Sequence, residues 1–253
     1  MRDPELDSAR QLSDDQLLAF DTEYVTDKRW PTIQRCLQED FSEGQFRFLD
    51  VGGGNGVFAD RILAAYPKAT GTVLDSARVL LDRNRSDPRK TLVCASAERL
   101  AELGERSYEV VFFNWVLHHL VGADYLASLE NVRRALTTAS GLLTSGGRMS
   151  IFDNMYDGQA IDGLPSRLIF HLTSSKLLAP LTRRFGANTS GVGVCFLSKK
   201  RWDAVLSSAG LAILRYSDEP PWQIPLHRRV LLHLGPVRFG HFWCSARDAA
   251  QTR

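Results

Sequence analysis

From Phe46 onward, short apolar runs typical of β-strands alternate with segments in which apolar residues recur every three or four positions. The strand-like runs are FRFLDV, TGTVLD, KTLVCAS, YEVVFFNWV and GRMSIFDN, and stretches of helical periodicity separate them. Strands joined by helical crossovers run parallel within one sheet and carry helices on both faces. The sequence therefore predicts an α/β, Rossmann-like, doubly wound sheet whose ligands bind at the carboxyl ends of the strands.

The segments that flank this core extend the same architecture. Residues 1–45 show helical periodicity and predict a helical N-terminal cap, which leaves residues 46–253 as the main domain. The alternation breaks after Asn154, so we expect residues 155–195 to form an insertion after the fifth strand. KKRWDAVLSSAGLAILRYS and FGHFWCSARD then predict a helix and two further strands, which gives a mostly parallel, seven-stranded sheet.

Composition indicates an ordinary globular protein. Of 253 residues, 44% are hydrophobic and 24% are charged, which is typical of a folded domain. No run of about 18 apolar residues is present and the N-terminus is charged, so the expectation is a cytoplasmic protein without a membrane partner. Cys36, Cys94, Cys195 and Cys244 lie far apart with no CxxC spacing, which predicts neither a metal site nor a disulfide framework.

Charge is distributed unevenly along the chain. The net charge is +2, but residues 156–253 contain 13 Lys and Arg against 6 Asp and Glu, whereas residues 1–155 contain 18 against 23. A basic C-terminal part is compatible with an anionic substrate or with nucleic acid. Because the basic residues are scattered, an ordinary solvated surface is the favoured interpretation.

The loop VGGGNG, directly after the first predicted strand, has a glycine spacing that narrows its ligand class. Glycines at such a position let the backbone approach a ligand closely. The dinucleotide fingerprint G-x-G-x-x-G would start at Gly52 and Gly54 and require a third glycine where Val57 stands. The spacing is instead G-x-G-x-G, ending at Gly56, and no Walker lysine follows, so a triphosphate cradle is absent.

LDVGGGNG, together with the later GTVLD, resembles the first motif of class I S-adenosylmethionine-dependent methyltransferases, above all the plant-type small-molecule O-methyltransferases and their bacterial relatives. The resemblance is good over residues 46–155 and weaker beyond, and the long N-terminal dimerisation domain of the plant-type enzymes has no counterpart here. It implies S-adenosylmethionine as the cofactor, bound by the glycine loop, by carboxylates near its ammonium and ribose groups, and by residues after the third and fourth strands. The corresponding residues are Asp50, Gly52, Gly54, Gly56, Asp75, Ser96, Ala97 and Asn114. Ser96 stands where the family often has an acid at the adenine.

The same resemblance implies a catalytic pair. Plant-type enzymes carry LHDW where this chain has LHHL, and their general base corresponds to His118; His119 replaces the family's Asp. Asp153, after the fifth strand, matches an acid that orients that histidine. In many methyltransferases, however, the histidine of an LHHL sequence only packs or holds the cofactor, and His171 or His241 could reach the acceptor instead.

The function expected from these residues is methyl transfer to oxygen, or to nitrogen, of a small molecule, in the manner of secondary metabolism. Nucleic-acid methylation is disfavoured: the fourth strand lacks an amino-methylating D/N-P-P-Y/F/W motif, DEPPW lies far downstream, and no Pro-Cys pair exists. A non-catalytic cofactor-binding subunit of another enzyme is the alternative, and an NAD-dependent oxidoreductase is opposed by Val57. A homodimer is one expectation for the assembly.

Overall fold

The computed structural model describes residues 13–103 and 107–247 and contains one seven-stranded sheet. The strands are β1 (Arg47–Val51), β2 (Thr70–Asp75), β3 (Lys90–Cys94), β4 (Tyr108–Asn114), β5 (Leu143–Gly158), β6 (Leu211–Asp218) and β7 (Leu234–Ala246). Their order is β3-β2-β1-β4-β5-β7-β6; β7 runs antiparallel to β5 and β6, and all other pairs are parallel. This confirms the predicted mostly parallel, doubly wound sheet.

Nine α-helices are present in the described ranges, together with 3-10 helices at Ala97–Leu103 and Leu117–His119. The α-helices are α1 (Asp14–Leu18), α2 (Trp30–Asp40), α3 (Val57–Ala65), α4 (Arg78–Leu81), α5 (Tyr125–Gly141), α6 (Leu164–Ser174), α7 (Ala179–Arg184), α8 (Lys199–Ser208) and α9 (Leu226–Leu231). None of the described helices is both long and apolar enough to cross a membrane.

The structure shifts two predicted boundaries, the start and the end of the fifth strand. The N-terminal cap consists of α1 and α2 within the described residues, and its first 12 positions lie outside them. Helix α5 ends at Gly141 and β5 begins at Leu143, four residues before the predicted strand GRMSIFDN, which starts at Gly147. Strand β5 then continues through Gly158 because β7 pairs with it that far, so residues 155–158 of the predicted insertion are strand.

Both faces of the sheet are buried, which explains why the central strands have nearly continuous apolar sequences. On one face, α2 and α3 cover Phe48, Phe112 and Trp243; on the other, α5 and α8 cover residues such as Phe113 and Phe242. All five of these aromatic side chains are fully buried. Burying one such side chain contributes about 1.5–3 kcal/mol, so this core holds the carboxyl edge of the parallel strands in a fixed position.

Candidate active site

A cavity of about 630 Å³ lies at the carboxyl ends of β1, β2, β3 and β4. Parallel sheets place their ligand sites at this edge, where the loops after the strands face one another. Residues from five segments line the cavity: 17–25, 50–58, 74–82, 95–98 and 114–120. The cavity therefore lies at the edge that the strand pattern predicted, and the first of these segments belongs to the predicted N-terminal cap.

The glycine loop bends back on itself through three residues with positive φ. Gly52, Gly54 and Gly56 have φ values of +73°, +50° and +72°, a region that side chains make costly. A Cβ at Gly52 would lie 2.5 Å from Cγ2 of Val116, so a methyl group does not fit between β1 and the strand exit of β4. The conformation of this loop therefore requires glycine at position 52.

The predicted cofactor glycines do not all line the cavity. Gly52 and Gly54 do, and a Cβ at Gly54 would come no closer than 3.5 Å to its nearest neighbour. Gly56 is not a lining residue: a Cβ there would collide with the side chain of Asn84, which donates a hydrogen bond of 2.8 Å to the carbonyl of Gly54. The absence of a side chain at Gly56 therefore leaves room for Asn84 to hydrogen-bond to the loop on the side away from the cavity.

Asp50 and Asn114 bring unpaired polar atoms to the cavity wall. Asp50 is 1% exposed, and its Oδ2 has no hydrogen-bond partner among the described residues. Neither side-chain amide atom of Asn114 has one either. Burial, and then the charge of Asp75, raise the pKa of Asp50 to about 7, against the lowering effect of Asn114 and Lys90. Unpaired buried polar groups are costly, so this corner is suited to a polar, cationic ligand group.

Asp75 ends β2 and is held in place by the backbone. Its Oδ2 accepts a hydrogen bond of 2.9 Å from the amide of Gly54, and its Oδ1 accepts one of 2.7 Å from the amide of Ala77. Burial raises the pKa of this carboxyl, and these backbone bonds oppose the rise. Each oxygen keeps further acceptor capacity, which suits a carboxylate that meets ligand hydroxyls.

The loop after β3 contributes an acid that the sequence did not assign. Ser96 and Ala97 line the cavity as predicted cofactor residues, but Glu98 lines it as well. The amide of Glu98 donates to Oγ of Ser96 at 3.3 Å, and its Oε1 accepts from the side chain of Asn131 at 3.2 Å. The predicted α-helix here is a 3-10 helix, whose tighter turn changes which side chains share a face.

His118 and Asp153 lie together, as the predicted pair requires. His118 Nδ1 is 2.5 Å from Oδ1 of Asp153, and both side chains are buried. The same carboxylate oxygen accepts a hydrogen bond of 2.6 Å from the amide of Asn154. The ring of Phe196 lies 4.9 Å from that of His118. His118 and Asp153 are not among the residues that line the cavity.

His119 is the histidine that lines the cavity. Its ring lies 4.1 Å from that of His118 and makes an edge contact of 4.9 Å with Phe20. Burial, and then the neighbouring His118, hold the pKa of His119 well below its usual value. The imidazole that faces the cavity is therefore neutral at neutral pH, with one donor and one acceptor nitrogen.

The other histidines considered from the sequence lie elsewhere. His171 is exposed on α6, and His241 is buried on β7, where its Nε2 lies 2.9 Å from Oγ of Ser150. Burial lowers the pKa of His241 to about 3. Neither lines the cavity, so neither is placed to meet a ligand there. In the part of the chain that the structure describes, no group of three His, Cys, Asp or Glu residues could hold a metal ion.

Comparison with known proteins shows which proteins this chain resembles. The sequence profile of the methyltransferase domain matches residues 49–149. Over this region the chain is therefore similar to methyltransferases. It is 27% identical over 132 residues to a flavonoid 8-O-methyltransferase of Ocimum basilicum, a match that covers 51% of this chain and 35% of the relative. The chain thus spans about a third of the length of the curated relatives it matches first.

Solved structures share the fold at low sequence identity. A mitomycin 7-O-methyltransferase is 19% identical, with a TM-score of 0.52, over 92% of this chain and 60% of that one. A cyclase is 13% identical, with a TM-score of 0.59, over 88% of this chain and 83% of that one. Because a cyclase also has this fold, the architecture of a class I methyltransferase does not by itself fix the reaction.

The N-terminal segment closes one side of the cavity. Leu17, Phe20 and the stretch 22–25 line it. The amide of Asn55, in the glycine loop, donates a hydrogen bond of 2.8 Å to Asp21, and the Arg61 guanidinium lies 2.5 Å from Glu23. The cap is therefore fastened to the glycine loop and to α3. No local sequence pattern predicts these contacts, because they join residues more than 30 positions apart.

Trp115 links the cap to the strand exit of β4. Its ring stacks on Phe152 at 5.0 Å and on Tyr24 at 5.5 Å, and the Arg29 guanidinium lies 4.9 Å from the ring centre. Trp115 has φ of +54°, which is unusual for a bulky residue and marks local strain. The aromatic stack holds this backbone and so fixes the position of Asn114 beside Asp50.

Proposed function

We propose that this protein transfers the methyl group of S-adenosylmethionine to an oxygen of a small-molecule acceptor. The observation that carries the proposal is a set of buried side-chain atoms, Oδ2 of Asp50 and the amide atoms of Asn114, that have no hydrogen-bond partner among the described residues. They lie in a cavity that Asp75, Glu98 and His119 also line. These groups match the ammonium, hydroxyl and amino groups that the cofactor would present to them. The family relatives that act on oxygen support this type of acceptor.

Each end of the cofactor has a proposed set of partners. Asp50 and Asn114 would hold the ammonium and the methionine part, and the amides of the glycine loop would lie close to it. Asp75 would accept from the ribose hydroxyls, and Ser96, Ala97 and Glu98 would surround the adenine. Burial raises the pKa of Glu98. At the adenine, Glu98 would take the role of the acid that the family often has at the position of Ser96.

When bound, the cofactor supplies an electrophilic methyl on a sulfonium. In the proposed reaction, a bond would form between the acceptor oxygen and the methyl carbon while the sulfur–methyl bond breaks. S-Adenosylhomocysteine would leave, and the acceptor's proton would go to a base. The protein's contribution is alignment and exclusion of water, for which the cap segment that lines the cavity is suited.

For the proton, we propose His118 as the general base and Asp153 as its orienting partner. An Nδ1–H that donates to Asp153 leaves Nε2 as the nitrogen free to accept a proton. His119 would hold the acceptor hydroxyl from the cavity side, since its imidazole is neutral. The ring of Phe196 against His118 must then shift when the acceptor binds.

The test of the proposed function separates binding from chemistry. Isothermal titration should show S-adenosylhomocysteine binding in the micromolar range, and mass spectrometry should show a gain of one methyl on members of a panel of phenols, catechols and hydroxy acids. Lack of binding at millimolar concentration would refute the proposal. Binding without transfer to any acceptor, restored by a co-purifying protein, would favour the non-catalytic subunit. A cytoplasmic location and a homodimer remain predictions.

Replacing Gly52 by Ala is expected to weaken S-adenosylhomocysteine binding about tenfold or more. The new methyl group would clash with Val116 at 2.5 Å, and alanine would have to adopt the left-handed backbone conformation of Gly52. The clash and the unfavourable backbone conformation each cost about 1 kcal/mol or more. Isothermal titration measures the affinity and circular dichroism reports the fold. Gly141→Ala is the matched control, because a Cβ there meets nothing within 4 Å. A Gly52→Ala protein with unchanged affinity would contradict the role given to this loop.

A further inference from the structure

Two stretches of the C-terminal half contain basic residues and no acidic ones. Residues 163–202 contain seven Lys and Arg and no Asp or Glu, and residues 220–247 contain four Arg and no Asp or Glu. Helix α7 lies in the first stretch and helix α9 in the second. Four of these eleven basic residues lie on the two short helices, as one adjacent arginine pair on each.

Helices α7 and α9 bury none of their side chains. Large apolar residues on and beside α7 are highly exposed: Leu177 at 94%, Leu181 at 52% and Phe185 at 66%. The same holds for α9, with exposed fractions of 72% for Leu226, 65% for Val230 and 74% for Leu231. Such clustering of exposed apolar side chains marks an interaction surface.

Each helix also carries an arginine pair next to these apolar side chains. Arg183 and Arg184 lie in the last turn of α7, and Arg228 and Arg229 lie in α9. None of the four makes a salt bridge to another residue within the described ranges. The surface thus combines apolar side chains with cations that have no acidic partner among the residues that the structure describes.

The two helices adjoin one small apolar cluster. Helix α7 packs on α6, whose Ile169 belongs to a cluster with residues such as Val194 and Leu234. Ile224 and Leu232, which flank α9, pack against the same cluster. The loop after α7 also contacts helix α1, because the side chain of Gln16 donates to the carbonyl of Asn188 at 2.7 Å.

We propose that the α7 and α9 surfaces dock this protein on an anionic lipid surface. Leu177, Leu181, Phe185, Leu226, Val230 and Leu231 would enter the region between headgroups and acyl chains, while the arginines pair with lipid phosphates. Apolar burial combined with electrostatic attraction is what holds peripheral amphipathic segments at membranes. The proposed contact is with the membrane surface and needs no spanning segment. The expectation of no membrane partner rested only on the absence of a spanning segment, so it did not cover this case.

Charge argues against a second copy as the occupant of this surface. A two-fold interface brings the same patch of both subunits together, so arginines would face arginines with no acid in either stretch to pair with them. An anionic bilayer offers many phosphates and an apolar interior to the same surface. The proposal does not depend on methyl transfer.

The test uses the full chain and vesicles. In co-sedimentation, wild type should bind vesicles of equal parts phosphatidylcholine and phosphatidylglycerol at least tenfold more tightly than pure phosphatidylcholine vesicles. Binding should weaken when salt rises from about 0.1 M to about 0.5 M, because screening shortens the reach of the arginines. The double variants Leu181→Asp/Leu231→Asp and Arg183→Glu/Arg228→Glu should each lose at least tenfold in affinity.

Matched controls place the same changes elsewhere on the surface. Leu126→Asp, on α5, replaces a leucine that is 66% exposed, and Lys68→Glu reverses an exposed charge. Both should bind vesicles as wild type does, with circular dichroism showing that every variant is folded. No binding to anionic vesicles at low salt would overturn the proposal, as would equal binding by all variants. A dimer in light scattering that Leu231→Asp breaks would assign the surface to a second copy instead.

Discussion

Replacing Asp50 by Asn is expected to weaken binding of S-adenosylhomocysteine about 100-fold at pH 8, the typical effect of removing one partner of a buried charged pair. Asp50 is 1% exposed, and its Oδ2 has no partner in the described fold. An ammonium group of the ligand would therefore supply the missing partner of this buried carboxylate, and the contact would stabilise both charges. Isothermal titration of both proteins at pH 8 measures the difference.

The pH dependence of binding identifies the group responsible. The pKa of Asp50 in the free protein is raised to about 7, so its protonation competes with the ammonium group as pH falls below 7. Affinity of the wild type should be constant above about pH 8 and should decrease by about tenfold per pH unit below pH 7. Affinity of Asp50→Asn should not change over the same range.

The stability of the ligand-free protein should change in the opposite direction. Because the folded pKa lies above the ordinary value of 3.8, the folded state holds a proton between about pH 4 and pH 7 that the unfolded state has lost. Stability is therefore lost as pH rises through this window. Asp50→Asn removes that loss and should melt at a higher temperature than wild type at pH 8.

A control with the same chemical change separates the site from general charge effects. Asp203→Asn, on α8, removes an ion pair with Lys199 at 2.6 Å, outside the cavity. It should leave the affinity and its pH dependence unchanged. If Asp50→Asn bound as tightly as wild type, Asp50 would be a structural residue and the ammonium group would have to lie elsewhere.

The strand exits of this cavity could be predicted from sequence because they depend on local pattern. Apolar runs end in Asp50, Asp75 and Asn114, and the carboxyl ends of neighbouring parallel strands meet at one edge. The seven-stranded sheet follows from the same alternation. Gly56 shows the limit: its spacing fits the motif, but the side chain of Asn84, 28 positions away, occupies the space beside it.

The remaining features depend on geometry that spacing does not contain. Whether His118 or His119 lines the cavity is decided by a single 3-10 turn, because the next residue in such a turn faces another direction. Glu98 reaches the cavity through a similar turn. The N-terminal segment covers the site through contacts with Asn55 and Trp115, which no periodicity in residues 1–45 could indicate.

The histidine pair gives the second large effect. His118→Ala is expected to lower kcat about 100-fold to 1,000-fold, the lower part of the range for a positioned general base. The Kd of S-adenosylhomocysteine should change less than about threefold, since His118 does not line the cavity. Asp153→Asn should lower kcat in the same direction, because it removes the negative charge that holds the Nδ1–H of His118 and stabilises the protonated imidazole. Steady-state kinetics with any acceptor found active in the panel measures both.

His119→Ala distinguishes holding the acceptor from taking its proton. A neutral imidazole on the cavity wall that hydrogen-bonds the acceptor should, when removed, raise the KM of the acceptor more than it lowers kcat. His171→Ala, on the exposed side of α6, is the control and should behave as wild type. If His119→Ala lost kcat about 100-fold or more and His118→Ala kept nearly the kcat of the wild type, the general base would be His119 and not His118. Normal kcat in both variants would mean that the acceptor is already ionised when it binds and needs no base.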